Sequence, residues 1–325
     1  MTTYTRKVSA MRAAVHDTFG GPEVLRIEDR PIPTPSPREV LVRVVAASVN
    51  SADSRIRGRR FPRGFGGVAP LMFGVRLPRI PVLGGSFSGV VEAVGADVTG
   101  VAPGDVVAGT TGMAMGAHAE FVAVRADRVV PVPEGVSHDD AAGVIFGGLT
   151  ALWFLRDRAE VQLGRSVLVV GASGAVGTMA VQLARLAGAS VTGVCSAANA
   201  DLVRSLGAER VIDHRAVDVT TLPDRFDVVL DAVGVLDRHT GRRLLTPDGV
   251  LLLAVASLAD TVLARGNVKA GSGPERASDL AHLLDLVAKG EVRVVLDDVL
   301  PLDRIAEAHA RVDSGRKVGS LIVRP

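Results

Sequence analysis

The stretch Val167-Leu-Val-Val-Gly171-Ala-Ser-Gly174-Ala-Val-Gly177 decides how this chain folds. An apolar run passes straight into a glycine-rich turn, and an amphipathic helical pattern follows to Ala187. Gly171 permits the tight turn. Gly174 lets the backbone approach a diphosphate, and Gly177 lets the helix pack against the strand. The N–H groups of the turn and of the helix start then face the phosphates with the favourable end of the helix dipole. The expected phosphate cradle is therefore Gly171, Ala172, Ser173, Gly174, Ala175, Val176 and Gly177. The spacing is G-x-x-G-x-x-G, one residue wider at its start than the usual dinucleotide fingerprint. A plain Gly-rich strand–helix turn is the alternative.

Downstream, apolar β runs alternate with helical patterns. Ser166–Val170, Ser190–Cys195, Arg210–Asp213, Phe226–Ala232 and Gly249–Val255 read as strands. Ala175–Ala187, Asn199–Leu206 and Asp237–Leu245 read as helices. This alternation, with strands apolar on both faces, predicts an α/β fold with a doubly wound parallel sheet. The strand run at Gly249–Val255 is expected to leave a free edge. Beyond it, a helix is expected over Arg276–Lys289, a strand over Val292–Leu296, a helix over Leu302–Val312 and a last strand over Lys317–Val323.

Upstream the chain is β-rich, with β-branched runs at Val40–Val45 and Gly89–Val94. Pro31, Pro33, Pro35 and Pro37 mark an extended connector. Gly58–Pro81, rich in Gly, Pro, Arg and Phe, reads as a long loop. Near Val136 the character changes, and Ser137 is placed to cap a helix that begins with two aspartates.

Composition bounds the function. The 325 residues, 47% hydrophobic, suit two domains rather than a disordered chain. A formal charge of +2 is too small to point to nucleic acid. No apolar leader is visible at the N-terminus, and the apolar stretch Ser166–Cys195 is broken by glycines, Gln182 and Arg185. Neither a membrane nor a nucleic acid is an expected partner, and a reducing, cytoplasmic setting is expected. The single Cys195 excludes an internal disulfide and a Cys-rich zinc module, and ends an apolar strand as a small buried residue.

The cofactor reading turns on the second strand. A carboxylate there would hold the ribose 2′-OH of NAD. This chain instead reads Val194-Cys195-Ser196-Ala197-Ala198-Asn199. Ser196, helped by Arg204 or Arg215, suits a 2′-phosphate, so NADP(H) is expected over NAD(H), and Asn199 is a further expected cofactor contact. An ordinary solvated helix face is the other reading of those arginines.

Several blocks, in order, carry a resemblance: MRAAV from Met11, FGGPEVL, VLVRVVAASVNSAD from Val40, GVVEAVGADVTGVAPGDVV, GAHAEFVAV, AAGVIFGGLTAL from Ala141, the glycine block itself, RSLGAERVID, DVVLDAVG and GRKVGSLIV. The chain resembles the zinc-independent medium-chain dehydrogenase/reductases, in particular their quinone oxidoreductase-like branch. That resemblance implies a GroES-like catalytic domain built from both chain ends (1–135 and 271–325) around an inserted Rossmann domain (136–270). It implies NADPH-dependent reduction of the activated double bond of a quinone, enone or enoyl substrate. It also implies a homodimer, for which the free strand edge would serve.

Zinc is not expected. The zinc-dependent relatives carry Cys where this chain has Asn50, and a His-Glu pair near Gly85–Ser86, and the seven histidines form no HxxxH pair. Without that Lewis acid, conjugate reduction fits better than reduction of a simple ketone, because the charge spreads over an enolate or hydroquinone oxygen. Carbonyl–alcohol interconversion and cofactor binding without turnover are the rivals.

Asn50 and Thr150 match the family's nicotinamide- and substrate-facing positions. Local readings compete: Asn50 as a helix cap, and Thr150 as a hydroxyl bonding its own helix. Asp53 is expected to cap, or to pair with Arg55 or Arg57. His214 replaces a family tyrosine and falls beside the 2′-phosphate or in solvent. Ala232, Val233, Gly234, Ala254 and Val255 end successive strands, where such folds bind ligands. Phe61, Phe65 and Phe73 in the long loop, with Ile145, are the candidate substrate contacts. Ser86 and His118 replace an aspartate and a tyrosine as packing variants. The family's tyrosine proton donor has Phe61 near its place, and the only Tyr is Tyr4, so water is left as the proton source.

Overall fold

The structure, a computed structural model, describes residues 10–325. Tyr4 lies outside the described residues. In chain order the strands are β1 (Ala10–Val15), β2 (Arg26–Pro31), β3 (Glu39–Val49), β4 (Ser86–Val94), β5 (Val106–Thr110), β6 (Phe121–Arg125), β7 (Val129–Pro131), β8 (Ser166–Val170), β9 (Ser190–Cys195), β10 (Arg210–Asp213), β11 (Phe226–Asp231), β12 (Leu245–Leu253), β13 (Val268–Ala270), β14 (Leu296–Pro301) and β15 (Ser320–Arg324). The helices are α1 (Ser51–Gly58), α2 (Ala69–Phe73), α3 (His138–Leu152), α4 (Ala175–Leu186), α5 (Ala200–Ser205), α6 (Arg238–Arg242), α7 (Leu258–Val262), α8 (Ala277–Ala288) and α9 (Ile305–Asp313).

The middle of the chain forms a parallel sheet of order β10-β9-β8-β11-β12-β13. Alternation along β8 explains its two covered faces. Val167 and Val169 join one core with α3, α4 and α8, while Leu168 and Val170 join the core on the opposite face. This is the Rossmann half.

The flanking segments form the GroES-like half. Its sheet runs β14-β15-β3-β4-β5-β7, with β6 also on β3. Val40, Val42, Val44, Phe87, Val122, Leu321 and Val323 fill its core, so both chain ends bury apolar groups together. No helix among the described residues is long and apolar enough to cross a membrane.

Four expectations need correction. The strand expected at Val292–Leu296 starts only at Leu296, because the Gln182 side chain bonds the N–H and C=O of Arg293, which a ladder would need. The last strand begins at Ser320 rather than Lys317, since Gly319 turns at φ +65°. The edge expected after Gly249–Val255 is covered, with Leu251 pairing Val268 of β13. The segment Gly58–Pro81 holds α2 and a short 3-10 turn rather than a featureless loop. Leu280, Leu283 and Leu284 of α8 pack in the core that α3 and α4 share, and the GroES-like sheet resumes at β14.

Candidate active site between the two halves

The glycine turn sits at the carboxyl end of β8. Gly171 has φ +82°, a conformation costly for other residues. A Cβ on Gly177 would stand 2.1 Å from the Gly171 carbonyl oxygen, so only glycine lets α4 start this close to the strand. At Gly174 a Cβ would meet only that same oxygen, at 3.5 Å, which leaves its outer face open. No side chain caps α4 at Gly174, so the first-turn N–H groups are free for an anion. Asn199 Nδ2 donates to Ser173 Oγ at 3.2 Å and ties the second strand's exit to the turn.

This turn opens on a cleft of about 1310 Å³ between the halves. On its Rossmann wall are Gly171, Ser173–Gly177, Ser196, Asn199, His214, Arg215, Ala232 and Val233. Ala172 is buried beneath the turn instead. Gly234, Ala254 and Val255 do not line the cleft, whereas Val235 does; Asp231 accepts the N–H groups of Val233, Gly234 and Leu236. Burial pushes the Asp231 carboxyl upward against those three bonds. Arg204 is not on the wall and pairs with Asp201 at 2.9 Å. Cys195 lines the cleft at the strand end, and burial raises its thiol, as suits an inert residue.

The GroES-like wall presents Asn50, Ser51, Ser54, Arg55 and Arg60, with Phe146 of α3 beside them. Asn50 caps α1: its Oδ1 accepts from Ala52 N at 2.8 Å, and Asp53 reciprocates by accepting from Asn50 N at 2.9 Å. The cap occupies the amide oxygen. The amide nitrogen makes no bond among the described residues, so the cap leaves it without a partner in a residue that lines the cleft. Asp53 is wholly buried and also accepts from Gly84 N at 3.0 Å. Burial raises its carboxyl, and it pairs with neither Arg55 nor Arg57.

Five expected contacts fall elsewhere. Thr150 Oγ1 donates to the Phe146 carbonyl at 2.7 Å, and Thr150 is not on the cleft wall. Ile145 is in the core, while its neighbour Phe146 faces the cleft. Phe61 and Phe73 stack on each other at 5.4 Å, and neither they nor Phe65 reach the cleft. Both stacked rings find an apolar partner locally, which removes the drive to line the mouth.

Reading the sequence residue by residue missed the C-terminal contribution. Arg311, Asp313, Arg316 and Lys317 close the cleft's third side. Gly319 N donates to the Ser173 carbonyl at 2.8 Å, so this segment is pinned to the phosphate cradle. Burial draws the Lys317 ammonium down to about 8. The only signal in the sequence is a pair of cations just before a glycine in GRKVGSLIV.

Two family models match: "Alcohol dehydrogenase GroES-like domain" over residues 36–134, and "Zinc-binding dehydrogenase" over 206–323. A quinone oxidoreductase of Pseudomonas aeruginosa is 31% identical, with 94% of this chain and 97% of that protein covered. The chain belongs to the medium-chain dehydrogenase/reductases, in their quinone oxidoreductase-like branch. A chloroplastic NADPH-dependent alkenal/one oxidoreductase of Arabidopsis thaliana is 30% identical, covering 97% of this chain and 80% of its own. The solved quinone oxidoreductase of Coxiella burnetii superposes with a TM-score of 0.88 at 29% identity, covering 97% and 99%. This medium-chain enzyme is an NAD(P)H-dependent oxidoreductase, and its open-faced glycine turn fits a pyridine dinucleotide. Among the described residues no three His, Cys, Asp or Glu side chains converge.

Proposed function

We propose that the protein uses NADPH, without zinc, to reduce the activated C=C bond of a quinone, enone or enoyl substrate. The observation that carries this is the pairing of walls: an anion-accepting glycine turn faces a wall of amide, hydroxyl and guanidinium groups with no metal-ligand set among the described residues. The Rossmann wall holds the diphosphate through the α4 N-terminus. Ser196, His214 and Arg215, with no carboxylate at the end of β9, support a 2′-phosphate and hence NADPH. The dinucleotide, when bound, supplies a hydride for the β-carbon of the substrate. Asn50 Nδ2 is the donor toward the carbonyl oxygen, where the displaced electron pair collects, and cleft water delivers the proton to the α-carbon. Phe146 gives the apolar surface that positions a planar substrate. The name of the Arabidopsis relative, an NADPH-dependent alkenal/one oxidoreductase, supports the same substrate class. We also read the protein as a cytoplasmic homodimer, which its unpaired, buried Cys195 suits as regards compartment.

Turnover of an enone with NADPH deuterated at C4 tests the reading. Deuterium is expected at the β-carbon of a saturated carbonyl product, and NADPH is expected to bind more tightly than NADH. Label at a carbinol carbon, or tighter NADH binding, would overturn it.

A further inference from the structure

Ser51, Ser54 and Arg55 lie on one face of α1, as i, i+3 and i+4 positions do, and all three face the cleft beside the Asn50 cap. The arginines around them are committed. Arg57 is fully buried, pairs with Asp313 at 2.5 Å and donates to the Gly20 carbonyl at 2.8 Å. Arg60 also pairs with Asp313. Arg59 donates to the Val75 carbonyl at 2.9 Å and lies over the Phe19 ring.

Arg55 differs. It is half-buried, and among the described residues its guanidinium has no hydrogen-bond or ion-pair partner. Burial alone acts on it, drawing it below the usual arginine range with no opposing carboxylate. No Asp or Glu occurs in the sequence between Asp53 and Glu92 to supply one. The nearby cleft acid, Asp313, is already taken by Arg57, Arg60 and the Ser54 hydroxyl. Holding a partly desolvated cation without a counter-ion is unfavourable, so such a group is expected where a ligand brings the negative charge.

We propose that Arg55 recognises a permanent oxyanion, a carboxylate or phosphate, carried by the substrate, so that this enzyme favours anionic unsaturated carbonyls. The guanidinium fork suits two oxygens of one such group. Ser51 and Ser54 border it on the same helix face. Arg55 is a specificity residue here. Its place on the wall with Asn50 sets the charged group on the GroES-like side, across from the diphosphate cradle. The inference rests on the double-bond-reducing reading above.

The test compares cinnamaldehyde with its 4-carboxy and 4-phosphonooxy derivatives, as kcat/KM ratios, in wild type, Arg55→Gln and Arg55→Lys. Wild type should favour an anionic member by about tenfold or more, mainly through KM. Arg55→Gln should abolish the preference, and Arg55→Lys should restore part of it. The preferred derivative tells carboxylate from phosphate. Calorimetry with the saturated analogues of the same three compounds runs alongside. Arg55-dependent binding of the anionic analogues without double-bond turnover would uphold this inference and remove the reading beneath it. A ratio near one in wild type, a ratio that Arg55→Gln leaves unmoved, or weaker NADPH binding in Arg55→Gln as its only effect would overturn the assignment. Thermal unfolding of each variant guards against misfolding, and Arg55→Lys keeps the question answerable if Arg55→Gln fails to fold.

Discussion

His309 has no exposed surface, and its Nδ1 accepts from Arg57 Nε at 3.3 Å, across 252 residues of chain. An accepting Nδ1 carries no proton, so the folded ring is neutral. Burial, then the neighbouring His118 and Arg57, hold its pKa well below the ordinary 6.5, with Asp313 opposing. The unfolded chain therefore binds a proton here below pH 6.5 that the native state refuses. The resulting stability is fully present above 6.5 and falls as the pH drops below it, by at most about 1.4 kcal/mol per unit from this group. Urea unfolding at pH 7.5, 6.5 and 5.5 should show that decline, and His309→Gln should make it shallower. Equal slopes in the two proteins would dismiss the idea. Nothing in the sequence around His309 announces this, because its enclosure depends on α1 and α9 meeting from opposite ends of the chain. Asn50 is more legible, since capping is local. That its amide nitrogen is left without a partner among the described residues is visible only when Ala52 and Asp53 are seen to use the oxygen.

Gln182 lies buried on α4. Its Nε2 donates to the carbonyls of Thr178 and Arg293, both at 3.0 Å, and its Oε1 accepts from Arg293 N at 2.8 Å. One side chain thus replaces a strand as the partner of the segment that leads from α8 back to the GroES-like sheet. Gln182→Leu should strand both Arg293 backbone groups and lower stability by about 1–3 kcal/mol, read as a lower midpoint in thermal or urea unfolding. An unchanged midpoint would mean the segment finds other partners. The same interaction explains where element reading succeeds and fails. β8, β9 and β10 run as expected to the residue, because continuous apolar runs ending at turn residues leave one choice. Val292–Leu296 has the same local signal, yet the competitor comes from α4, 111 residues away. The edge after β12 departs from expectation for a related reason. Three residues, Val268–Ala270, suffice to cover it, and a run that short has no period to read.

At the scale of the whole molecule, the two halves are joined where the cofactor is proposed to sit. Gly174 and Gly319 form a parallel bridge, with φ +65° at Gly319. A Cβ on Gly319 would stand 2.0 Å from the Val295 carbonyl oxygen, so this contact also requires glycine. The bridge carries Lys317 to the cradle, where Nζ donates to the Gly319 carbonyl. Burial lowers this ammonium to about 8, against the pull of Asp297 and with a further push from Arg311. A diphosphate beside it favours the charged form and raises its pKa. Below pH 8 the lysine is already charged and affinity for NADPH should be flat with respect to this group. Above pH 8 binding must take up a proton, so affinity should fall as pH rises, by at most about tenfold per unit. Calorimetric titration with NADPH from pH 6.5 to 9.5, in buffers of different ionisation enthalpy, reads both the affinity and the proton uptake. Lys317→Gln should bind more weakly at pH 7 and lose the uptake, while Lys317→Arg should keep the affinity and lose the pH dependence, because a guanidinium stays charged throughout that range. Proton uptake that persists in Lys317→Arg would assign the titration to another group on the cleft wall.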